Sequence, residues 1–161
     1  TGIDINTLTI DHIFAPLGFE RDPYFLTDSF GEPFILGGLN MTTRDYARIG
    51  LMVLNGGMVS DIRVVSQEWL DISMAKSAPS PSPEKAATPE GWMGYGMQWW
   101  IPGDAIGGEV YGIGIYGQYL YLNPKHNVVI AQNGGDVDFK VGEGIIEQEC
   151  LALFRQIAEN L

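Results

Sequence analysis

Gly107-Gly-Glu-Val-Tyr-Gly112-Ile-Gly114-Ile-Tyr-Gly117-Gln-Tyr-Leu-Tyr-Leu-Asn123-Pro-Lys-His-Asn-Val-Val-Ile-Ala-Gln-Asn-Gly134 decides the fold. It reads as strand, tight glycine-rich passage, strand, turn, strand. Tyr119, Tyr121 and Asn123 alternate with Leu120 and Leu122, the period of two expected of a strand with two different faces. Asn123-Pro-Lys-His-Asn127 supplies turn chemistry. Val128 to Ala131 is a short β-branched apolar run, the signature of a buried strand. Gly112, Gly114 and Gly117 stand where a strand normally avoids glycine. A bulge, or close approach by another backbone or a ligand, is the usual reason, so this is the first place to look for a site.

Outward from this hairpin, the chain alternates helix and extended signals. Asn6 to Leu17 predicts a short helix ended by Pro16-Leu17-Gly18. Phe19 to Pro33 predicts a loop with strand-like pieces. Thr42 or Thr43 caps a helix over Arg44 to Leu54, closed by Asn55-Gly56-Gly57, with Tyr46, Ile49, Gly50, Val53 and Leu54 as its buried stripe. Arg63 to Val65 is extended, and Ser66 caps a second helix carrying Trp69, Leu70, Ile72 and Ser73. Residues 77–90 are rich in Pro, Ser and Ala and predict a mobile loop rather than a domain boundary. Tyr95 to Ile101 predicts one strand, and Val141 to Leu161 an amphipathic helix. The sum is an α/β chain of the α+β type. An antiparallel meander is flanked by helices, and residues 1–161 form a single domain.

Composition narrows the function classes. The chain is 45% hydrophobic and 18% charged, as a globular protein is, and its net charge is −11. That balance argues against nucleic acid or an anionic membrane surface as partner. No apolar run approaches the ~20 residues of a membrane span. The one cysteine, Cys150, falls on the last helix and reads as a structural thiol. His12 and His126 have no Cys or Glu at ligand spacing, and Asp136-Val-Asp138 has no further ligand at EF-hand spacing. No metal or cofactor is expected. Trp92, Tyr95, Trp99, Trp100 and Tyr116 are candidates to line one apolar pocket.

Three catalytic-looking patterns occur in a tempting order: Ser73-Met-Ala-Lys76, Tyr121-Leu-Asn123 and Lys140-Val-Gly142. A serine activated by a lysine one turn later should open a helix, where the dipole helps the alkoxide. Ser73 closes its helix instead, and Lys140 precedes the last helix in a Gly/Asp loop. These residues are expected to be structural.

A different set carries a resemblance. Ile13-Phe-Ala-Pro-Leu-Gly-Phe19, Gly37-Gly-Leu-Asn40-Met-Thr-Thr-Arg-Asp-Tyr46-Ala-Arg-Ile-Gly-Leu51, Leu54-Asn-Gly-Gly57, Gly94-Tyr-Gly-Met-Gln-Trp-Trp100 and Gly117-Gln-Tyr-Leu-Tyr-Leu-Asn-Pro124 occur in that order. Together they resemble the C-terminal half of the penicillin-recognising serine hydrolases, class C β-lactamases and their esterase and peptidase relatives, above all the 6-aminohexanoate-dimer hydrolase-like branch. The resemblance implies an acyl-enzyme hydrolase of amides or esters. Its Ser-x-x-Lys and Tyr-x-Asn elements would lie upstream, so the chain reads as a fragment that supplies cleft wall but no nucleophile. Gly112-Ile113-Gly114-Ile115 then matches the family's third element, with Gly112 at the position of its cation. The Ile115 backbone N–H becomes one of two oxyanion donors. Gly112, Ile113, Gly114, Tyr116, Asn40 and Trp99 become substrate-facing. Partners follow: a small amide or ester, and either a second copy or the missing N-terminal half. The alternative is a non-catalytic binding module on the same fold.

Overall fold

The computed structural model describes residues 2–75, 93–138 and 145–161, the Ile145 side chain excepted. The 77–90 loop, Trp92, Lys76, Lys140 and the first residues predicted for the last helix lie outside the described residues.

The hairpin reading holds. β7 (Val110–Gly114), β8 (Gln118–Asn123) and β9 (Val128–Gln132) form an antiparallel meander. β7 and β8 pair from Val110↔Leu122 to Gly114↔Gln118, and β8 and β9 from Tyr119↔Gln132 to Asn123↔Val128. β5 (Gly94–Tyr95) and β6 (Trp100–Ile101) extend the sheet to the order β5-β6-β7-β8-β9. The strand predicted over residues 95–101 is therefore two strands around a tight turn. Gln98 adopts a left-handed φ of 70° there, and the Gly96 N–H donates to the Trp99 carbonyl at 2.8 Å. Gly96 is required: a Cβ would sit 2.3 Å from the Ser73 carbonyl oxygen.

Alternation along β8 separates two cores. Leu120 and Leu122 pack on one face with Leu17, Met52, Val53, Leu70 and Val110. Tyr119 and Tyr121 pack on the other with Tyr111, Leu151, Phe154 and Ala158. The first face is covered by α3 (Thr43–Leu54) and α4 (Gln67–Met74), the second by α5 (Ile145–Asn160). Trp99 joins the first core and Trp100 the second. Trp99 and Trp100, two of the aromatics proposed for one pocket, are thus separated, because neighbouring residues of an extended chain point to opposite faces.

The N-terminal helix is interrupted. α1 (Ile5–Thr9) runs into a π-helical turn (Ile10–Phe14) and then α2 (Ala15–Leu17). Pro16 explains the wide turn, since its ring crowds the carbonyl four residues back and offers no N–H. Gly18 ends the helix in the left-handed conformation. β1 (Tyr24–Phe25) pairs with β2 (Leu39–Asn40), and β3 (Met58–Val59) with β4 (Ile62–Arg63). Gly57 (φ 83°) makes the second hairpin possible: a Cβ would lie 1.9 Å from the Val65 carbonyl oxygen.

Thr42 caps α3, as its position predicts: its hydroxyl accepts from the Asp45 N–H and donates to the Asp45 carboxylate at 2.8 Å. Asp45 is fully buried, although the apolar stripe alone gave no sign of it. It also accepts the Glu20 N–H at 2.8 Å, the Arg21 N–H and the Arg48 guanidinium. The chain leaving α2 is thereby pinned to the start of α3.

Candidate active site

The glycine-rich residues singled out in the sequence lie on β7 and just beyond it. Gly112, Ile113 and Gly114 are partly exposed on it, and Ile115 and Tyr116 are exposed just beyond its end. β6 pairs with β7 only at Trp100↔Tyr111. Past Tyr111, the side of β7 facing away from β8 has no strand partner among the described residues. Tyr116 and Gly117 both adopt positive φ, 67° and 78°, in the turn to β8.

The loop after β9 braces this turn. The Asp136 N–H donates to the Tyr116 carbonyl at 3.1 Å, and the Gln132 carboxamide to the Gly117 carbonyl at 3.1 Å. Gly134 passes so close that a Cβ would meet those carbonyl oxygens at 2.4 and 2.5 Å. Asn133 donates to the Thr43 hydroxyl at 2.9 Å, tying the loop to the N-terminal end of α3.

Gly112 faces α3. The point its Cβ would occupy lies 3.5 Å from the Tyr46 hydroxyl, ordinary contact, so the position is open rather than forbidden. Helical period marks Tyr46 only as a stripe residue and does not reveal where its hydroxyl ends. Asn40 is on β2 with its side chain donating to the Gly38 carbonyl at 2.9 Å, and Trp99 packs in the α3-side core. Neither of these contacts involves Ile115.

The competing catalytic residues are committed elsewhere. The Ser73 hydroxyl is buried and donates to the Leu70 carbonyl at 3.1 Å, at the end of α4. Its carbonyl accepts the Met97 N–H at 2.8 Å. Tyr121 is buried and donates to Glu109 at 2.7 Å, while Asn123 donates to it at 2.8 Å. Burial, followed by the bond to Glu109, pushes the Tyr121 pKa well above that of an ordinary phenol. It is a poor base at neutral pH. Cys150 is half-buried against the tyrosine core, and burial pushes its thiol pKa up.

A cavity of about 470 Å³ opens at the other end of β7. Val53, Gln67, Met74, Ile101, Val110 and Leu122 are among its lining residues, and it does not include the glycine strip.

A five-stranded antiparallel sheet with helices on both faces makes this an α+β fold. The family model described as Beta-lactamase matches residues 11–132, and the chain belongs to that family. The 6-aminohexanoate-dimer hydrolase of Paenarthrobacter ureafaciens is 38% identical over 135 residues, 82% of this chain and 34% of the relative. A Bacillus anthracis protein assigned as a 6-aminohexanoate-dimer hydrolase superposes with a TM-score of 0.76 at 28% identity, over 95% of this chain and 37% of its own. Simvastatin synthase of Aspergillus terreus shares the fold, with a TM-score of 0.57 at 16% identity over 96% of this chain and 50% of its own. The chain thus spans about a third of the length of the hydrolases it matches.

Proposed function

We propose that this chain forms one wall of the cleft of a serine hydrolase that cleaves amide or ester bonds through an acyl-enzyme. The observation that carries this reading is β7. Two glycines at alternate positions run into exposed Ile115, at a turn braced by residues 132–136. Bare backbone lets a substrate lie against the strand, and an N–H at Ile115 would meet a developing oxyanion. One such donor is worth roughly 3 kcal/mol of transition-state stabilisation. Gly112, Ile113, Gly114, Tyr116, Asn40 and Trp99 are the proposed substrate-facing residues.

The nucleophile, in this reading, comes from outside these 161 residues, since the Ser73 hydroxyl is buried and engaged. Two features support a polypeptide partner. β9 reads as a buried strand yet has a sheet neighbour on one side only among the described residues. Residues 24–36 also expose Tyr24, Leu26, Phe30, Phe34, Ile35 and Leu36, Phe30 at 89% and Leu36 at 85%. The rest of such a hydrolase, or a second copy, would cover them.

Ile115→Pro deletes the proposed donor while Ile115→Ala keeps it. In the longest product of the gene containing this chain, with folding checked by circular dichroism, the expected result is a loss of about 10²–10³ in kcat for the first alone. Equal activity of both variants would sink the oxyanion role. The second reading, a non-catalytic binding module, draws on the engagement of Ser73 and Tyr121 inside the fold. It predicts no turnover by any product of the gene.

A further inference from the structure

The cavity beyond Val110 stands apart from the glycine strip. Val53, Met74, Ile101, Val110 and Leu122 give it apolar walls, drawn from α3, α4 and three adjacent strands. At about 470 Å³ it falls within the usual size of a small-molecule site, roughly 300–1,000 Å³. Val53, Val110 and Leu122 belong to the α3-side core, so the floor is the core itself, while Ala105 is exposed at the rim.

One corner is polar, and its chemistry is one-sided. Gln67 and Asp71 lie one turn apart on α4, and the Gln67 carboxamide donates to an Asp71 oxygen at 2.8 Å. That bond sets which way the carboxamide points. Its own oxygen turns to Gly56, where a Cβ would meet it. The second carboxamide N–H aside, the corner presents acceptors: the Gln67 oxygen and the remaining lone pairs of the Asp71 carboxylate. Asp71 and Glu109 are the ionisable side chains among the described lining residues, and both are acids. Glu109 is already satisfied by Arg155, Tyr121 and the Ile106 N–H. Asp71 is exposed and keeps capacity for a further donor. Arg63, at the Gly56 edge, is engaged with the Gly56 and Val65 carbonyls.

We propose that this cavity binds a small organic cation, an apolar body the size of one ring or a short alkyl chain that carries a primary ammonium group. The body takes the place of water against the apolar walls. The ammonium donates to Asp71 and to the Gln67 oxygen. A carboxylate on the same body would meet Asp71 as a like charge, and an alcohol would keep the walls but forgo the ion pair. The inference stands apart from the hydrolase reading, since it needs neither a nucleophile nor turnover.

The test is methyl NMR on the longest product of the gene containing this chain. Benzylamine, benzyl alcohol and benzoate serve as probes that share one carbon skeleton. Benzylamine should shift the Met74 and Ile101 methyl resonances saturably, with Kd of about 1 mM or below. It should bind about tenfold more tightly than benzoate, with benzyl alcohol between them, the modest ratio expected of an exposed carboxylate. Asp71→Asn should bring amine and acid within about threefold of each other. Ala105→Trp sets a large side chain at the rim and should abolish the shifts. Unmoved Leu151 methyls, in the other core, report an intact fold in each variant. Where Ala105→Trp disturbs Leu151 as well, the Asp71→Asn comparison decides. No saturable shift with benzylamine, benzoate binding as tightly as the amine, or a preference unchanged in Asp71→Asn overturns the inference.

Discussion

Arg155 closes over Glu109. The guanidinium, on α5, grips the buried carboxylate that stands immediately before β7: Nε lies 3.0 and 3.2 Å from its two oxygens and Nη2 is also bonded to it. The same guanidinium holds Asp104 in a two-point pair at 2.9 and 3.0 Å. Glu109 further accepts the Tyr121 hydroxyl and the Ile106 N–H at 3.1 Å. One buried carboxylate therefore ties the last helix, the start of β7 and the middle of β8 together.

Removing one partner of this pair should be costly. Arg155→Met leaves Glu109 charged and buried, and we expect a loss of about 3–5 kcal/mol in urea unfolding. The double variant Arg155→Met/Glu109→Leu should recover a good part of it, because no lone charge stays inside. A single variant as stable as wild type would show that Glu109 finds water instead.

Acid should weaken the fold through two aspartates. Hydrogen bonding to Arg155 chiefly holds the Asp104 carboxyl below the usual range. Burial pushes the Asp45 carboxyl up, but the bonds from the Glu20 N–H, Thr42, Arg48 and the Arg21 N–H outweigh it and leave its pKa lowered. A lowered native pKa gives stability that is present above the unfolded value, about 3.9, and lost as pH falls through the native one. Asp45→Asn should thus destabilise the chain at neutral pH and do so less below about pH 4. Parallel unfolding curves for wild type and variant across that window would contradict this.

Two adjacent glycines make a matched comparison. Gly134→Ala forces a methyl against the Tyr116 and Gly117 carbonyls, whereas nothing lies within 4 Å of a Cβ on Gly135. The first should lower the melting temperature by several degrees and disturb the amide resonances of Ile115 and Tyr116. The second should change neither measurably.

Much of this architecture is legible in the sequence because it rests on short-range rules. The period of two along Tyr119–Asn123 separates the two cores, and Thr42, Ser66 and Gly18 mark helix ends by chemistry local to each. What escapes reading is long-range. Asp45 looks like any carboxylate in a first helical turn, and only the fold brings the Glu20 and Arg21 amides to it. The Glu109–Arg155 pair spans 46 residues. The turn at Gln98 was hidden because Trp99 and Trp100 sustain a strand-like run across it. Of the site, the glycine strand was visible as an anomaly in a strand pattern. The Tyr46 hydroxyl beside it was not, since helical spacing fixes a side chain's face but not its reach.

In the proposed function this chain supplies a hydrolase cleft wall and Ser73 is not the nucleophile. Intact-mass labelling with a fluorophosphonate tests it most directly, applied to the 161-residue chain and to the longest product of its gene that contains it. One adduct is expected on the longer product, at a serine outside these residues, and none on the chain alone. An adduct on Ser73, or a longer product that carries no adduct, would contradict it.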